Sequence, residues 1–441
     1  MKLAAHTLGC KLNFAETSHY VRQFVKAGWE VVKFQEKADL YIINTCTVTA
    51  VAEKKCRNII RQATSTNPRA QIAVIGCFAQ NNYDQISQIP GVTLILGNDH
   101  KDELLDIVQA AYQSGDLPGT YFKAHSSEYR AKVATYPFKP LYSMGDRTRT
   151  FFKVQDGCDY FCSYCAIPFA RSRSRSATIA ETMAVAQEIA DKGVKEVVLT
   201  GVNTGTFGQQ HGETFLDLLK ELDKLSPILR YRISSIEPQL ITDEIIDFVA
   251  HSRAFLPHFH IPLQSGSDKV LSMMRRHYDT ALYRERIEYI KKVMPNACIA
   301  ADVIAGFHGE SEEEFAKSME FIESLPLSYL HVFTYSERPN TSALCLQEKV
   351  GIPVRREHSR LLHELSDKKR KAFLHSQMGM QRRVLWESTK YGSGDNLTLQ
   401  GWTDNYIRLQ HSYDAKLVNN ITLEKICDTT LVKDYSDEEE E

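Results

Sequence analysis

The run Gly157-Cys158-Asp159-Tyr160-Phe161-Cys162-Ser163-Tyr164-Cys165 constrains this chain more than any other stretch. Three cysteines fall there, with three residues in the first gap and two in the second. Three thiolates on so tight a loop suit three irons of a four-iron, four-sulfur cube, and the loop leaves the fourth iron without a protein ligand. A zinc knuckle is the competing reading, but structural zinc normally takes a fourth Cys or His. The next His along the chain is His211.

A length of 441 residues suggests about two to four domains. Hydrophobic content of 43% and charged content of 24% belong to a globular chain, and no apolar run approaches the length that spans a bilayer. Met1-Lys2-Leu3-Ala4-Ala5-His6 lacks the apolar core of a signal peptide, so a cytoplasmic location with no membrane partner is expected. In a reducing compartment the ten cysteines are ligands or core residues before they are disulfides. The net charge of −2 does not advertise a nucleic-acid partner for the chain as a whole.

Residues 1–115 alternate apolar runs at 2–7, 40–44, 71–75 and 93–96 with helical patterns near 16–27, 50–63 and 101–111. That rhythm predicts a doubly wound parallel sheet. Cys10 follows the first run, Cys46 the second and Cys77 the third. In a parallel sheet the strand C-termini open on one edge, where ligands bind, so these three cysteines are expected to converge. Buried structural cysteines are the alternative, and Cys56, Cys298, Cys345 and Cys427 are read that way, as core or surface. No G-x-G-x-x-G or Walker pattern follows these strands, which disfavours a nucleotide site here.

Residues 116–147, with Pro118, Gly119, Pro137, Pro140 and Gly145, read as a linker. Beyond it, strand patterns at 150–155, 196–200, 230–234, 258–262, 299–304 and 329–334 alternate with helical ones near 179–192, 215–225, 243–250, 283–292 and 312–325. Six such repeats predict a partial, open (β/α)6 barrel rather than a full one of eight. The cysteine loop follows its first strand, at the mouth where barrel chemistry sits. Asn203, Glu237, Gln264 and Ser265 follow later strands and line the same rim. After the fifth strand comes Asp302-Val303-Ile304-Ala305-Gly306-Phe307-His308-Gly309-Glu310, whose glycines permit close backbone approach to a ligand. A plain turn with Glu310 near the next helix N-terminus is the alternative.

Residues 353–383 carry nine Lys and Arg against three acids on a helical pattern whose buried side is Leu361, Leu362, Leu365 and Phe373. Such a helix is a phosphate contact or a solvated face. Short strand patterns at 383–386, 397–400, 406–409, 416–418 and 422–426 then predict a small β-barrel. Trp402 and Tyr406 are candidates to stack on bases, with a core role as the alternative. The expected partition is 1–115, a linker at 116–147, 148–352, a basic helical connector at 353–377, 378–434, and an acidic tail at 435–441, read as disordered.

The cysteine loop followed by this α/β pattern resembles the radical SAM superfamily, whose open iron binds S-adenosylmethionine (SAM). Almost the whole chain is similar to the methylthiotransferase family. The resemblance rests on Thr7-Leu8-Gly9-Cys10-Lys11-Leu12-Asn13, Asn44-Thr45-Cys46-Thr47-Val48-Thr49 and Gly76-Cys77-Phe78-Ala79-Gln80, followed by the central loop. Within that family it looks most like the MtaB branch, on Cys165-Ala166-Ile167-Pro168-Phe169-Ala170-Arg171, His258-Phe259-His260-Ile261-Pro262-Leu263-Gln264-Ser265-Gly266-Ser267 and Leu330-His331-Val332-Phe333-Thr334-Tyr335-Ser336. Gly401-Trp402-Thr403-Asp404-Asn405-Tyr406 resembles the turn of a TRAM domain, an RNA-binding barrel. Ser172, His308 and Asn340 depart from the family pattern, which has Gly, Pro and Gly there, and none of the three removes a ligand.

The resemblance implies two [4Fe-4S] clusters, one on Cys158, Cys162 and Cys165 that cleaves SAM, and an auxiliary one on Cys10, Cys46 and Cys77 that carries sulfur. It implies that Asp302, Gly306 and Glu310 lie along the adenine of SAM, beside Asn203, Glu237, Gln264 and Ser265. It implies a methylthio group added at C2 of adenosine 37 of tRNA bearing a threonylcarbamoyl group, with a separate electron donor and sulfur donor. Isopentenyladenosine tRNA or a ribosomal protein as substrate, and a non-catalytic iron–sulfur RNA-binding protein, are the alternatives. A threonylcarbamoyl carboxylate suits an Arg fork, and Arg171 or Arg175, tethered to the cysteine loop, is the expected contact. Binding of phosphates or of acids within the protein is the other use for these arginines.

Overall fold

The structure is a computed structural model and describes residues 1–114, 121–123, 137–145, 148–391 and 397–432. Its packing divides the chain into two units. The first comprises residues 1–144, 151–176 and 336–341, and the second comprises residues 145–150, 177–335 and 342–441.

The first unit is built on six parallel strands among the described residues. These are β1 (Lys2–Thr7), β2 (Glu30–Val31), β3 (Leu40–Thr45), β4 (Gln71–Gly76), β5 (Leu94–Leu96) and β6 (Tyr121–Lys123), in the order β2-β1-β3-β4-β5-β6. The order reverses between β1 and β3, which makes the crevice outside their carboxyl ends a ligand position. Alternation along β3 sends Tyr41 and Ile43 to a core with Ile60, Val74 and Phe78, and Leu40 and Ile42 to a second core with Tyr20, Phe24 and Leu104. Both faces are therefore covered, as a parallel sheet requires. β2 and β6 were not expected. At two and three residues they are too short to show a period, and β6 falls within the stretch read as a linker. β7 (Leu141–Tyr142), also within that stretch, pairs antiparallel with β8 (Thr150–Lys153). Pro118, Gly119 and the acidic tail lie outside the described residues. The strand expected at 150–155 divides into β8 and β9 (Gln155–Asp156), and β9 pairs antiparallel with β10 (Arg175–Ser176). This pairing closes the loop that carries Cys158, Cys162 and Cys165.

In the second unit β11 (Glu196–Thr200) pairs parallel with β12 (Arg230–Ile233). β13 (His258–His260), β14 (Cys298–Ala305) and β15 (Tyr329–Thr334) form a parallel run. Isolated parallel bridges, Tyr231 to Phe255 and Ser235 to His260, connect β12 to the β13 region. Helices 179–191, 215–223, 243–251, 280–293 and 312–324 alternate with these strands. All five begin at a side-chain cap. Thr178 and Glu181 form a reciprocal capping box, and Thr214, Thr242, Asp279 and Ser311 each accept from the first turn, which fixes where each helix starts. The helix Ile352–Gln377 follows. An antiparallel sheet of four strands ends the described chain: β16 (Gln381–Tyr391), β17 (Thr398–Thr403), β18 (Arg408–Ser412) and β19 (Ile421–Lys425), ordered β18-β17-β16-β19. Residues 416–418, expected as a strand, form a turn. No helix among the described residues is long and apolar enough to cross a membrane.

Candidate active site

Cys10, Cys46 and Cys77 follow β1, β3 and β4, three adjacent strands. Cys10 is also the N-cap of the helix Lys11–Lys26. This helix begins five residues earlier than the apolar period suggested. Cys46 and Cys77 are buried, while Cys10 lies exposed at the rim. Gly9 has a φ of 96°, and an added Cβ would sit 2.7 Å from Cys46 Cβ, so a glycine is what lets the Cys10 loop meet Cys46. Asn13 stitches the two loops together, its Nδ2 donating to the carbonyls of Leu8 at 2.8 Å and Thr45 at 3.2 Å. The thiols feel one another. Burial pushes the Cys46 thiol up, and Cys77 and Cys10 push in the same direction. A single ion needs all its sulfurs at about 2.3 Å from one centre, whereas a cube spreads three thiolates over three irons. Three cysteines at neighbouring strand ends fit the second arrangement, and no cysteine is in a disulfide.

The second triplet lies on the loop between β9 and β10. Gly157 opens it at φ 74°, where an added Cβ would collide with the Arg173 carbonyl. The Cys158 amide donates to Ser172 O at 3.0 Å, and the Cys165 amide to Cys162 O at 3.0 Å. Phe161, just before Cys162, has a positive φ of 48°, and a turn at residues 163–164 brings Cys165 back to Cys162. Asp159 pairs with Arg173 at 3.5 Å. This spacing and turn fit the same donor chemistry.

Arg171 and Arg175 correct an expectation. Arg171 is 1% exposed, and its guanidinium is held by Glu16 at 3.1 Å, Asp156 at 3.0 Å and Asn13 Oδ1 at 2.5 Å. Arg175 pairs with Asp156 at 3.1 Å and donates to the Arg171 carbonyl at 2.6 Å. Both forks are engaged by acids and carbonyls of the protein, so neither is presented to a substrate carboxylate. Burial alone would raise the Glu16 carboxyl, but Arg171, Lys101 and Lys153 hold it well below the usual carboxylate range. Sequence reasoning missed Glu16, Asn98, Lys101, Lys153 and Asp156. Their pairings span up to 155 residues, and a lone charge in a sequence carries no sign of its partner.

The second unit holds the seven expected cofactor contacts. Asn203, Gln264, Ser265 and Glu310 are buried. Gln264 has a φ of 68° and its amide donates to Asp302 O at 2.8 Å. Asp302 Oδ1 meets His260 Nε2 at 2.6 Å. Glu237 is paired with Arg276. Glu310 Oε2 accepts from the Gly306 amide at 2.8 Å and meets His358 Nδ1 at 3.1 Å, so its carboxylate braces the turn. Trp402 is 4% exposed. It stacks on Tyr406 at 4.4 Å, and Tyr406 stacks on His258 at 4.1 Å. Arg149 caps Trp402 at 4.7 Å and Arg232 caps Tyr406 at 5.0 Å. Trp402 is thus a core residue, which corrects its expected stacking on a base, and Tyr406, half-buried, is the middle member of the stack between Trp402 and His258.

Residues 2–97 match the family described as Uncharacterized protein family UPF0004, and residues 152–322 match the Radical SAM superfamily. The chain is 38% identical over 426 residues to the threonylcarbamoyladenosine tRNA methylthiotransferase MtaB of Bacillus subtilis, covering 96% of this chain and 93% of that one. The chain belongs to the MtaB branch of the radical SAM methylthiotransferases. The Aquifex aeolicus protein of that name is 38% identical, with 87% and 92% covered. A tRNA-2-methylthio-N(6)-dimethylallyladenosine synthase of Nitratidesulfovibrio vulgaris is 31% identical, with 88% and 87% covered. Among solved structures, the radical S-adenosylmethionine methyltransferase TsrM of Kitasatospora setae shares the fold at a TM-score of 0.55 and 14% identity, covering 75% of this chain and 72% of that one.

Proposed function

We propose that this enzyme places a methylthio group at C2 of N6-threonylcarbamoyladenosine 37 in tRNA. The observation that carries the reading is the set of three cysteines at neighbouring strand ends of the first unit, a second triplet beside the radical SAM loop. The names of the relatives that match nearly the whole chain support the substrate. C2–H of adenine is neither acidic nor electrophilic enough for ordinary acid–base chemistry, which is why radical chemistry is needed. When bound, the two [4Fe-4S] groups and SAM would supply one-electron cleavage of SAM and a sulfur to be methylated and delivered.

The chain's own residues hold and orient these groups. Cys158, Cys162 and Cys165 hold the SAM-cleaving cluster, and the β9–β10 pairing and Gly157 shape their loop. Cys10, Cys46 and Cys77 hold the second cluster, with Asn13 fixing two of their loops. In the second unit, Asn203, Gln264, Ser265, Asp302 and the Gly306 turn are the proposed contacts for SAM. Glu237 and Glu310 act there through the groups they brace. The six strand positions 150–155, 196–200, 230–234, 258–262, 299–304 and 329–334 are read as a partial (β/α)6 barrel and the terminal sheet as an RNA-binding TRAM domain, with boundaries at 1–115, 148–352 and 378–434. An electron donor, a sulfur donor and a cytoplasmic location complete the reading.

The test is incubation with SAM, sulfide, a strong reductant and tRNA bearing either threonylcarbamoyl- or isopentenyladenosine, followed by nucleoside analysis. The 2-methylthio product from the first tRNA is expected. Product from the second alone would move the enzyme to the sister branch.

A further inference from the structure

Six buried charges in the first unit form one connected network. Glu16 pairs with Lys101, with Lys153 at 2.7 Å and with Arg171 at 3.1 Å. Asp156 pairs with Lys153 at 2.7 Å, Arg171 at 3.0 Å and Arg175 at 3.1 Å. All six are buried. Among the described residues, four cations of this network face two carboxylates, so it carries a surplus of positive charge away from water, where an unmatched charge is costly. That surplus adjoins the cysteines. Asn13 accepts from Arg171 at 2.5 Å, and the Cys10 thiol lies 3.9 Å from the same Asn13 oxygen. Asn98 Nδ2 bridges the Ala170 carbonyl, at 2.8 Å, to Cys77 Sγ, at 3.6 Å.

We propose that Arg171 is a positioning residue of the Cys10–Cys46–Cys77 site, and that the surplus positive charge it anchors raises the reduction potential of the iron–sulfur group held there. This rests on the proposed second cluster. A cube ligated by three thiolates is anionic and becomes more so on reduction, so nearby fixed cations favour the reduced form. Net charge and hydrogen bonds to sulfur are the levers a protein has on such a potential. The network also ties the helix after Cys10 to the segment after Cys165, so one set of ion pairs fixes both cysteine loops.

The experiment uses the full chain carrying Cys158→Ala, Cys162→Ala and Cys165→Ala, so that one site remains to be loaded. Iron analysis comes first. Iron near four per chain is required by the two-cluster reading, and its absence ends that reading whatever Arg171 does. The midpoint potential is then followed by EPR in Arg171→Met, Arg171→Lys and Glu16→Gln variants. Arg171→Met should disfavour reduction about tenfold, which is 59 mV for a one-electron couple, and Arg171→Lys should restore most of it. Glu16→Gln removes a negative charge and should shift the potential the opposite way. Shifts of opposite sign are not produced by loosened packing. Unchanged potentials in both Arg171→Met and Glu16→Gln, with iron retained, overturn the proposal. If Arg171→Met does not load iron, an unchanged Glu16→Gln potential overturns it alone.

Discussion

At Gly9 a single methyl group decides whether two cysteine-bearing loops can meet. Its φ of 96° is strained for any L side chain, and the added Cβ would crowd Cys46. Strain of this kind costs about 1–3 kcal/mol. Gly9→Ala should therefore lower the iron loaded by Cys10, Cys46 and Cys77 while leaving loading by Cys158, Cys162 and Cys165 intact. Iron analysis of each triplet, with the other replaced by Ala, reads this, and equal loading in Gly9→Ala and parent contradicts it. The strand-end positions of Cys10, Cys46 and Cys77 and the tight spacing of Cys158, Cys162 and Cys165 were legible in the sequence because spacing and strand position are local facts. Arg171 was visible only as a cation near the cysteine loop. Its partners Glu16 and Asn13 lie 155 and 158 positions away, so its internal role emerges only when β1, the helix after it and the β9–β10 loop are folded together.

At the scale of elements, the helix Ile352–Gln377 keeps much of its basic face for the protein. Lys369 donates to the carbonyls of Glu323 at 3.1 Å and Leu325 at 2.7 Å. Lys368 pairs with Glu323 at 2.6 Å, and Arg360 with Glu357 at 2.6 Å. Burial lowers the Lys369 amine from 10.5 to about 8. The unfolded chain then binds more protons than the folded one between about pH 8 and 10.5, so this group's contribution to stability rises with pH across that window. Denaturant unfolding of the parent and of Lys369→Met should show that relative gain as pH climbs, and parallel profiles would contradict it. In the same unit, Glu196 sits between Arg230 at 3.2 Å and Arg232 at 2.7 Å. These arginines donate to the carbonyls of Trp402 and Thr403, so they join β12 to the terminal sheet. Glu196→Gln leaves two buried guanidiniums uncompensated and should cost about 3–5 kcal/mol. A change below ~1 kcal/mol in urea unfolding would contradict that weight. Long periodic elements were legible, including the five capped helices 179–191, 215–223, 243–251, 280–293 and 312–324, whereas the six-residue helix Asp268–Met273, capped by Ser267, was too short to show a period. The short strands β2, β6, β7 and β10 were not legible, because their place in the sheet comes from neighbours rather than from a pattern of their own.

At the scale of the whole molecule, both cysteine triplets belong to the first packed unit, while the proposed SAM contacts belong to the second. Relatives at 38% identity match both units along nearly the whole chain. The central claim is a division of labour between the two triplets. It is tested most directly by quenching one reaction with threonylcarbamoylated tRNA and measuring 5′-deoxyadenosine and modified nucleoside together, for Cys46→Ala and Cys158→Ala. Cys46→Ala is predicted to keep SAM cleavage and lose the methylthio product, and Cys158→Ala to lose both. Loss of 5′-deoxyadenosine in Cys46→Ala to the same extent as in Cys158→Ala, with iron retained at the radical SAM loop, would contradict the account.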